Sequence, residues 1–171
     1  MKIERKYYYR YLCTAIFAIV VTLSYGIVWY HFAKENNVTG HLLGLANIAM
    51  SIGIYLMLYL LMGKYLRTFK IGVDRKTNLI MSQIITLFTV AVFQIFISMA
   101  VTGQFRFIGE LFVIYIFMAV FQSIILSVLV IILVDVYRKL FPALEVLEIY
   151  GEYQNGLCDK VSSRKDKYHV A

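Results

Sequence analysis

The chain has 171 residues, of which 61% are hydrophobic and 16% are charged, and its formal net charge is +7. Soluble domains are about 45–50% apolar, so this composition excludes an ordinary soluble domain. It also excludes a disordered chain, because disorder requires low hydrophobicity and a high charge content. Asp, Glu, Lys and Arg are all absent from four long stretches, which are residues 11–33, 36–63, 77–105 and 111–134. Each stretch exceeds the roughly 20 residues that cross a bilayer as a helix, so the sequence predicts an all-α membrane protein with four transmembrane helices.

The predicted elements follow one another with short connections. Residues 1–10 form a basic and aromatic collar, because tyrosine suits the headgroup region of a bilayer. The transmembrane domain covers residues 11–141, with helices at about 11–32, 41–62, 77–101 and 108–137. Three aromatic side chains, Tyr25, Trp29 and Tyr30, are predicted to lie at the outer interface. Small residues are expected to let another helix approach the second helix closely, and these are Gly40, Gly44, Ala49 and Gly53.

The basic residues are distributed asymmetrically along the chain. They precede the first helix, lie between the second and third helices, and follow the fourth, whereas only Lys34 and Arg106 lie in the other two loops. Basic residues accumulate on the cytoplasmic side of membrane proteins, so both termini are predicted to be cytoplasmic. The expected location is the bacterial cytoplasmic (inner) membrane. The positive charge therefore reports topology, the bilayer is the expected partner, and no nucleic-acid partner is expected.

The tail, residues 142–171, has a different composition. Residues 145–150 alternate charged and apolar side chains, which is typical of a strand. A short helix is predicted for residues 152–162 and a second strand for residues 166–170. The order β-α-β opens an α/β domain, but about 30 residues cannot bury a core of their own. The tail is therefore predicted to be the βαβ-like start of a truncated Rossmann-like domain.

Few side chains in the sequence suggest chemistry. Glu110 and Asp135 are predicted to occupy interface positions in preference to coupling ions or protons. His31 and His41 flank the outer loop without a third metal ligand, so no metal site is predicted. Cys13 and Cys158 lie in different compartments and form no predicted disulfide. Cys-x-x-Cys, HExxH and P-loop motifs are absent, and no catalytic, cofactor-binding or metal-binding residue is assigned.

Uncharged polar residues do lie deep within the predicted spans. At 1.5 Å per residue, Asn47 and Gln94 are each about 10 Å below the outer boundary, and Thr86 and Gln122 are each about 10 Å from the inner one. A hydrogen bond across either pair would stabilise helix packing by roughly 0.6 kcal/mol or somewhat more. The alternative is that these four residues line a polar path for a substrate. Packing is the favoured interpretation.

The second loop, residues 62–72 (MGKYLRTFKIG), and the tail segments 148–151 (EIYG) and 164–168 (RKDKY) resemble bacterial polyprenyl glycosylphosphotransferases. The resemblance covers essentially all 171 residues, but only the first part of such a protein. It implies a four-helix region, followed in that family by a Rossmann-like domain and a catalytic domain. Members transfer a sugar 1-phosphate from a nucleotide sugar to undecaprenyl phosphate. The catalytic Asp-Glu pair of that family belongs to the region absent here, so the resemblance implies no catalytic residue.

Three functional hypotheses follow from the sequence. The favoured one is a membrane-anchoring and assembly module of such a transferase in exopolysaccharide or capsule biosynthesis, which is not catalytic by itself. Its expected partners are the bilayer and either glycan-assembly machinery or a second copy of the chain. The alternative is a small four-helix transporter or lipid-linked-sugar flippase, which would need a polar substrate site near the midplane. The third is a membrane-embedded interaction or sensor subunit.

Overall fold

The structure, a computed structural model, describes residues 2–36, 44–102, 108–142, 144–146 and 168–170. Within these ranges the chain forms four helices, α1 (Lys2–Glu35), α2 (Leu45–Tyr65), α3 (Lys76–Thr102) and α4 (Ile108–Leu140). All four are long and apolar enough to cross a membrane. The predicted four-helix fold is therefore confirmed, and the chain has the architecture of a multi-pass membrane protein.

Three hydrogen bonds establish that the helices run alternately up and down. At one end, Tyr9 Oη of α1 donates to the carbonyl oxygen of Leu133 in α4 at 2.7 Å, and Arg10 Nε donates to that of Ile71 in the α2–α3 loop at 3.1 Å. At the other end, Asn36 Nδ2 donates to Glu110 Oε1 at 3.3 Å. The start of α1, the α2–α3 loop and the end of α4 therefore lie together, and we call this the basic end. The opposite end is the distal end.

The bundle combines a mixed interior with an apolar outer surface. Most buried side chains are apolar, but polar ones lie among them, and Tyr55, Gln94 and Gln122 are fully buried. The outward surface is apolar, and Leu23 and Phe117 are 62% and 73% exposed. Lipid solvates such a surface without penalty, whereas water would not. The arrangement agrees with a membrane environment for all four helices.

The first helix is longer than the sequence predicts. It begins at Lys2 instead of near residue 11, so the collar is helical and continuous with the span. No proline or glycine interrupts residues 2–10. The ring of Tyr9 also contacts the rings of Tyr137 and Phe141, with centroids 5.6 and 6.3 Å apart, which secures this first part of α1 against α4. Tertiary contacts therefore extend the helix beyond its apolar segment.

The α2–α3 loop is folded tightly against the basic end. Its first residues close α2 with a Schellman motif, in which Thr68 N donates to Gly63 O at 2.9 Å and Arg67 takes a positive φ of 62°. The side chains of Thr68 and Ile71 are no more than 1% exposed. Gly72 has a φ of +76° and lies directly against the ring of Tyr137. The loop is thus a packed cap on the bundle.

Small residues behave differently from their prediction. The face containing Gly53 was expected to receive another helix, but a Cβ at Gly53 would meet nothing within 4 Å. The close approach between α1 and α2 instead occurs at Gly26, where a Cβ would lie 3.3 Å from Ile52 Cδ1. The prediction does not hold at Gly53 within this bundle, because spacing along one helix does not specify which face meets a neighbour. Gly40 lies outside the described residues.

In the tail, the described backbone contains β1 (Leu144–Val146) and β2 (Tyr168–Val170), paired in parallel with Leu144 opposite Tyr168. The predicted helix at 152–162 lies outside the described residues. Two strands of three residues do not form an independently stable sheet. The predicted βαβ unit is therefore not supported by the structure, and the Rossmann-like start remains a prediction.

We expect Gly72→Ala to destabilise the bundle by about 2–4 kcal/mol, because it adds a side chain at positive φ and forces it against Tyr137. Gly53→Ala is the matched control, since its Cβ points into open space and alanine favours a helix by up to about 1 kcal/mol. Reversible unfolding of both variants in bicelles checks the difference. Equal stability of the two variants would contradict the packed-cap description of the loop.

Candidate functional site: a buried polar column

Buried polar side chains form a column through the centre of the bundle. Every helix contributes to it, and the members are Ser24, Tyr25, Tyr55, Tyr59, Gln83, Gln94, Ser98, Tyr115 and Gln122. We call this set the polar column. Each member except the half-buried Ser24 is no more than 1% exposed. The members are serine, tyrosine and glutamine residues without formal charge, so the column is a network of hydrogen bonds between neutral side chains.

A pair of stacked tyrosines occupies the middle of the column. The rings of Tyr25 in α1 and Tyr55 in α2 have centroids 4.1 Å apart and an interplanar angle of 6°. Gln94 Nε2 of α3 donates to Tyr25 Oη at 2.6 Å. The ring of Tyr115 in α4 lies 6.1 Å from that of Tyr25, and its hydroxyl shares a 2.6 Å hydrogen bond with Ser98. All four helices therefore meet around Tyr25.

Gln122 of α4 connects three helices through one side chain. Its Oε1 accepts a hydrogen bond from Tyr55 Oη of α2 at 2.8 Å. Its Nε2 donates to Ser24 Oγ at 2.6 Å and to the Val21 carbonyl oxygen at 3.2 Å, both in α1. The amide thus uses both its acceptor and its donor capacity, which is what a polar group in an apolar medium requires. Such an arrangement specifies how α1, α2 and α4 are rotated about their axes.

The column continues toward the basic end. Gln83 Nε2 of α3 donates to Tyr59 Oη of α2 at 2.6 Å. At the same level of α3, Thr68 Oγ1 of the loop lies 2.8 Å from Thr86 Oγ1 and 2.9 Å from Ser82 Oγ. Ser82 Oγ in turn donates to the carbonyl oxygen of Leu66. Hydrogen bonds therefore attach the loop cap to the helical core.

Some buried polar atoms of the described residues have no hydrogen-bond partner. They are Thr22 Oγ1, Trp29 Nε1, Ser51 Oγ, Gln83 Oε1 and Gln94 Oε1. An unsatisfied buried polar atom costs about 1–3 kcal/mol, so each requires an explanation. A bound polar ligand or a water molecule would give these atoms the hydrogen-bond partners that they lack.

Four residues were predicted to form hydrogen bonds in pairs at equal depth. Three of them have hydrogen-bond partners other than the predicted ones. Gln94 bonds Tyr25, Gln122 bonds Tyr55 and Ser24, and Thr86 bonds the loop. Neither an Asn47–Gln94 nor a Thr86–Gln122 hydrogen bond forms. Asn47 is half-buried in the first turn of α2. Counting depth from the membrane boundary did not consider tyrosine side chains from other helices, which bond the amides of Gln94 and Gln122.

Tyrosines are the site residues that the sequence interpretation missed. Tyr25 and Trp29 were predicted to lie at the depth of the outer interface, which stays a prediction, and both side chains are fully buried and face the interior of the bundle. Only Tyr30, which is 48% exposed, faces outward. The available signal was a spacing of four residues, since Cys13, Phe17, Val21, Tyr25 and Trp29 all lie on the buried face of α1.

The other predicted candidates lie near the ends of the bundle. Asp135 forms an ion pair with Lys76 near the basic end, and Glu110 accepts the Asn36 hydrogen bond at the distal end. His31 is exposed near the end of α1, and His41 lies outside the described residues. The described ranges hold no cluster of three His, Cys, Asp or Glu residues that could bind a metal ion. Cys13 is a buried free thiol, and Cys158 is not described.

The basic end carries a strong positive charge. Its described side chains include only two acids, Asp74 and Asp135. The cations there are Arg5, Lys6, Arg10, Lys64, Arg67, Lys70, Arg75, Lys76, Arg138 and Lys139. The distal end has a single described cation, Lys34, near Glu35 and Glu110. The charge asymmetry of the sequence is therefore an asymmetry between the two ends of the folded bundle.

Comparison with protein-family models, with curated proteins and with solved structures finds no match to this chain.

We expect the Tyr55–Gln122 hydrogen bond to show a coupling energy of about 0.6–1.7 kcal/mol, the range for polar pairs between membrane helices. The measurement is a double-mutant cycle of Tyr55→Phe and Gln122→Leu, followed by unfolding in bicelles. A parallel cycle of Tyr30→Phe with Gln122→Leu should be additive, because Tyr30 is exposed. Additivity in both cycles would show that the central hydrogen bond does not stabilise the bundle.

Proposed function

We propose that this chain is a non-catalytic membrane-anchoring module that holds the segment following Pro142 against one membrane face. The observation that carries the proposal is the return of the chain to the basic end, where α1 begins and α4 ends. An anchor needs a stable bundle that delivers its continuation to a defined side. The interlocked polar column and the packed loop supply that stability.

The bundle interior supports anchoring over ion-coupled transport. Charged side chains near the midplane are the usual means of coupling ions or protons to transport. Among the described residues, no Asp, Glu, Lys or Arg side chain is fully buried. The ion pair of Lys76 and Asp135 is partly exposed and lies toward the basic end. The column therefore serves as a structural element that sets the helix arrangement.

The finer proposal is that the module belongs to a sugar-1-phosphate transferase that uses undecaprenyl phosphate in exopolysaccharide or capsule biosynthesis. Its support is the resemblance of the α2–α3 loop and of the tail to polyprenyl glycosylphosphotransferases. The basic end would then face the cytoplasm, in a bacterial inner membrane, at the leaflet where the lipid acceptor is used. Contacts with glycan-assembly machinery or with a second copy would take place through the exposed apolar faces or the tail.

The second candidate is a small transporter or lipid-linked-sugar flippase. The unpartnered Gln83 Oε1, Gln94 Oε1 and Ser51 Oγ favour it, because a translocated polar molecule would supply the missing hydrogen bonds. The three atoms come from two helices and are fully enclosed. Opening of the bundle would be required before a substrate reached them.

If the basic end is cytoplasmic, green fluorescent protein fused after Pro142 should fluoresce, and alkaline phosphatase at the same point should be inactive. Alkaline phosphatase inserted within residues 37–43 should be active, because that connection would lie outside. Reporter activities in intact cells provide the measurement. The reverse pattern would contradict both the positive-inside interpretation and the proposed site of anchoring.

Replacement of Gln83 and Gln94 by leucine separates the two candidate functions. An anchor should retain its function in the double variant, since the tyrosines remain packed and only two hydrogen bonds are lost. The assay is restoration of surface glycan in a host from which the gene has been deleted, with lipid-linked sugar phosphate in its membranes measured in parallel. Thermal unfolding of the purified variant verifies its fold, with Tyr30→Phe as the control. A folded variant that leaves lipid-linked sugar phosphate in the membrane but restores no surface glycan would favour transport through the column.

A further inference from the structure

We infer that the basic end carries a binding site for the phosphate group of an anionic membrane lipid, formed by Lys6 and Arg10. The site lies in the seam between α1, the α2–α3 loop and the end of α4. It does not depend on the sugar-transferase proposal, because any protein in an anionic leaflet could use it. Three observations support it: the fixed guanidinium of Arg10, a pair of cations with no carboxylate beside it among the described residues, and the aromatic wall.

The guanidinium of Arg10 is held in position by the protein backbone. Its Nε donates to the carbonyl oxygen of Ile71 at 3.1 Å, and its Cζ lies 5.8 Å from the centre of the Tyr7 ring. Both terminal nitrogens have no hydrogen-bond partner among the described residues. A guanidinium held at Nε presents these two nitrogens as a fork, which is the geometry that binds two phosphate oxygens at once.

Lys6 is one helical turn before Arg10, so the two side chains share one face of α1. Its ammonium lies 5.9 Å from the centre of the Phe141 ring, which directs it toward α4 and the seam. Two like charges at this spacing repel each other. No described carboxylate lies within 4.0 Å of either, whereas the nearby Lys76 is paired with Asp135. An anionic ligand would neutralise the pair.

The surroundings favour a lipid over a soluble phosphate. Tyr9, Tyr137 and Phe141 form an aromatic wall in the seam. The basic end is one end of a bundle whose helices are long and apolar enough to cross a membrane. A lipid whose phosphate contacts Arg10 would therefore have its acyl chains in the adjoining bilayer. A free phosphate would gain only the charged contacts.

The test compares two double variants that remove the same charge from the same end. Lys6→Gln/Arg10→Gln alters the seam, and Lys64→Gln/Arg75→Gln alters two exposed cations outside it. Native mass spectrometry of the purified full chain in detergent measures retention of dioleoylphosphatidylglycerol, with zwitterionic dioleoylphosphatidylcholine as the reference lipid. Thermal unfolding confirms that each variant is folded.

We expect the seam variant to bind phosphatidylglycerol about tenfold more weakly, while the control variant changes by no more than about twofold, since exposed charges are screened. Arg10→Lys should also weaken binding, because lysine keeps the charge but lacks the fork and the bond to Ile71. Equal loss in both double variants would overturn the site in favour of diffuse attraction. Unchanged binding in the seam variant, or displacement of the lipid by millimolar inorganic phosphate, would also overturn it.

Discussion

The side-chain amide of Gln122 is the contact on which the arrangement of the bundle most depends. Lipid is as apolar as the outward faces of these helices, so apolar burial provides little force to bring them together. Association must come from close packing and from polar groups that lipid cannot satisfy. Gln122 bonds Tyr55 of α2 and Ser24 and Val21 of α1, and so it links three helices at one depth.

The stacked rings of Tyr25 and Tyr55 extend this constraint to the whole interior. Gln94 brings α3 to Tyr25, and Tyr115 places a further ring of α4 beside it. Since each ring carries a hydroxyl that needs a partner, a rotated helix would lose both stacking and hydrogen bonds. The interior therefore defines one arrangement, and the lipid-facing surface remains free of polar requirements.

The basic end is organised by the same core. Hydrogen bonds from Thr68 to Ser82 and Thr86 attach the α2–α3 loop to α3, and Arg10 attaches it to α1. A loop that is fixed in this way presents its cations in defined positions. A rigid cationic end beside a membrane face is a suitable platform for anionic headgroups and for the segment that follows α4.

Much of the membrane architecture could be predicted from particular stretches of sequence. The charge-free stretch at 111–134 is long enough to span a bilayer, and it lies within α4 as expected. The polar contacts could not be predicted in the same way. Gln94 and Gln122 were recognised as deep polar residues, but their partners Tyr25 and Tyr55 were not, because tyrosine is also common at membrane interfaces. The inward direction of Tyr25 and Trp29 was consequently not predicted.

The sequence by itself determined the number of helices, their spans and the concentration of positive charge in alternate connections. These properties depend on local composition, since crossing lipid requires length and apolarity whatever the neighbours are. Tertiary structure alone decided that Tyr25 and Trp29 face inward, that Gly72 accommodates Tyr137, and that α1 extends to Lys2. Those outcomes depend on how each helix is rotated about its axis. This rotation is set by hydrogen bonds and ring contacts between residues that are distant in sequence. A hydropathy pattern does not reveal such contacts.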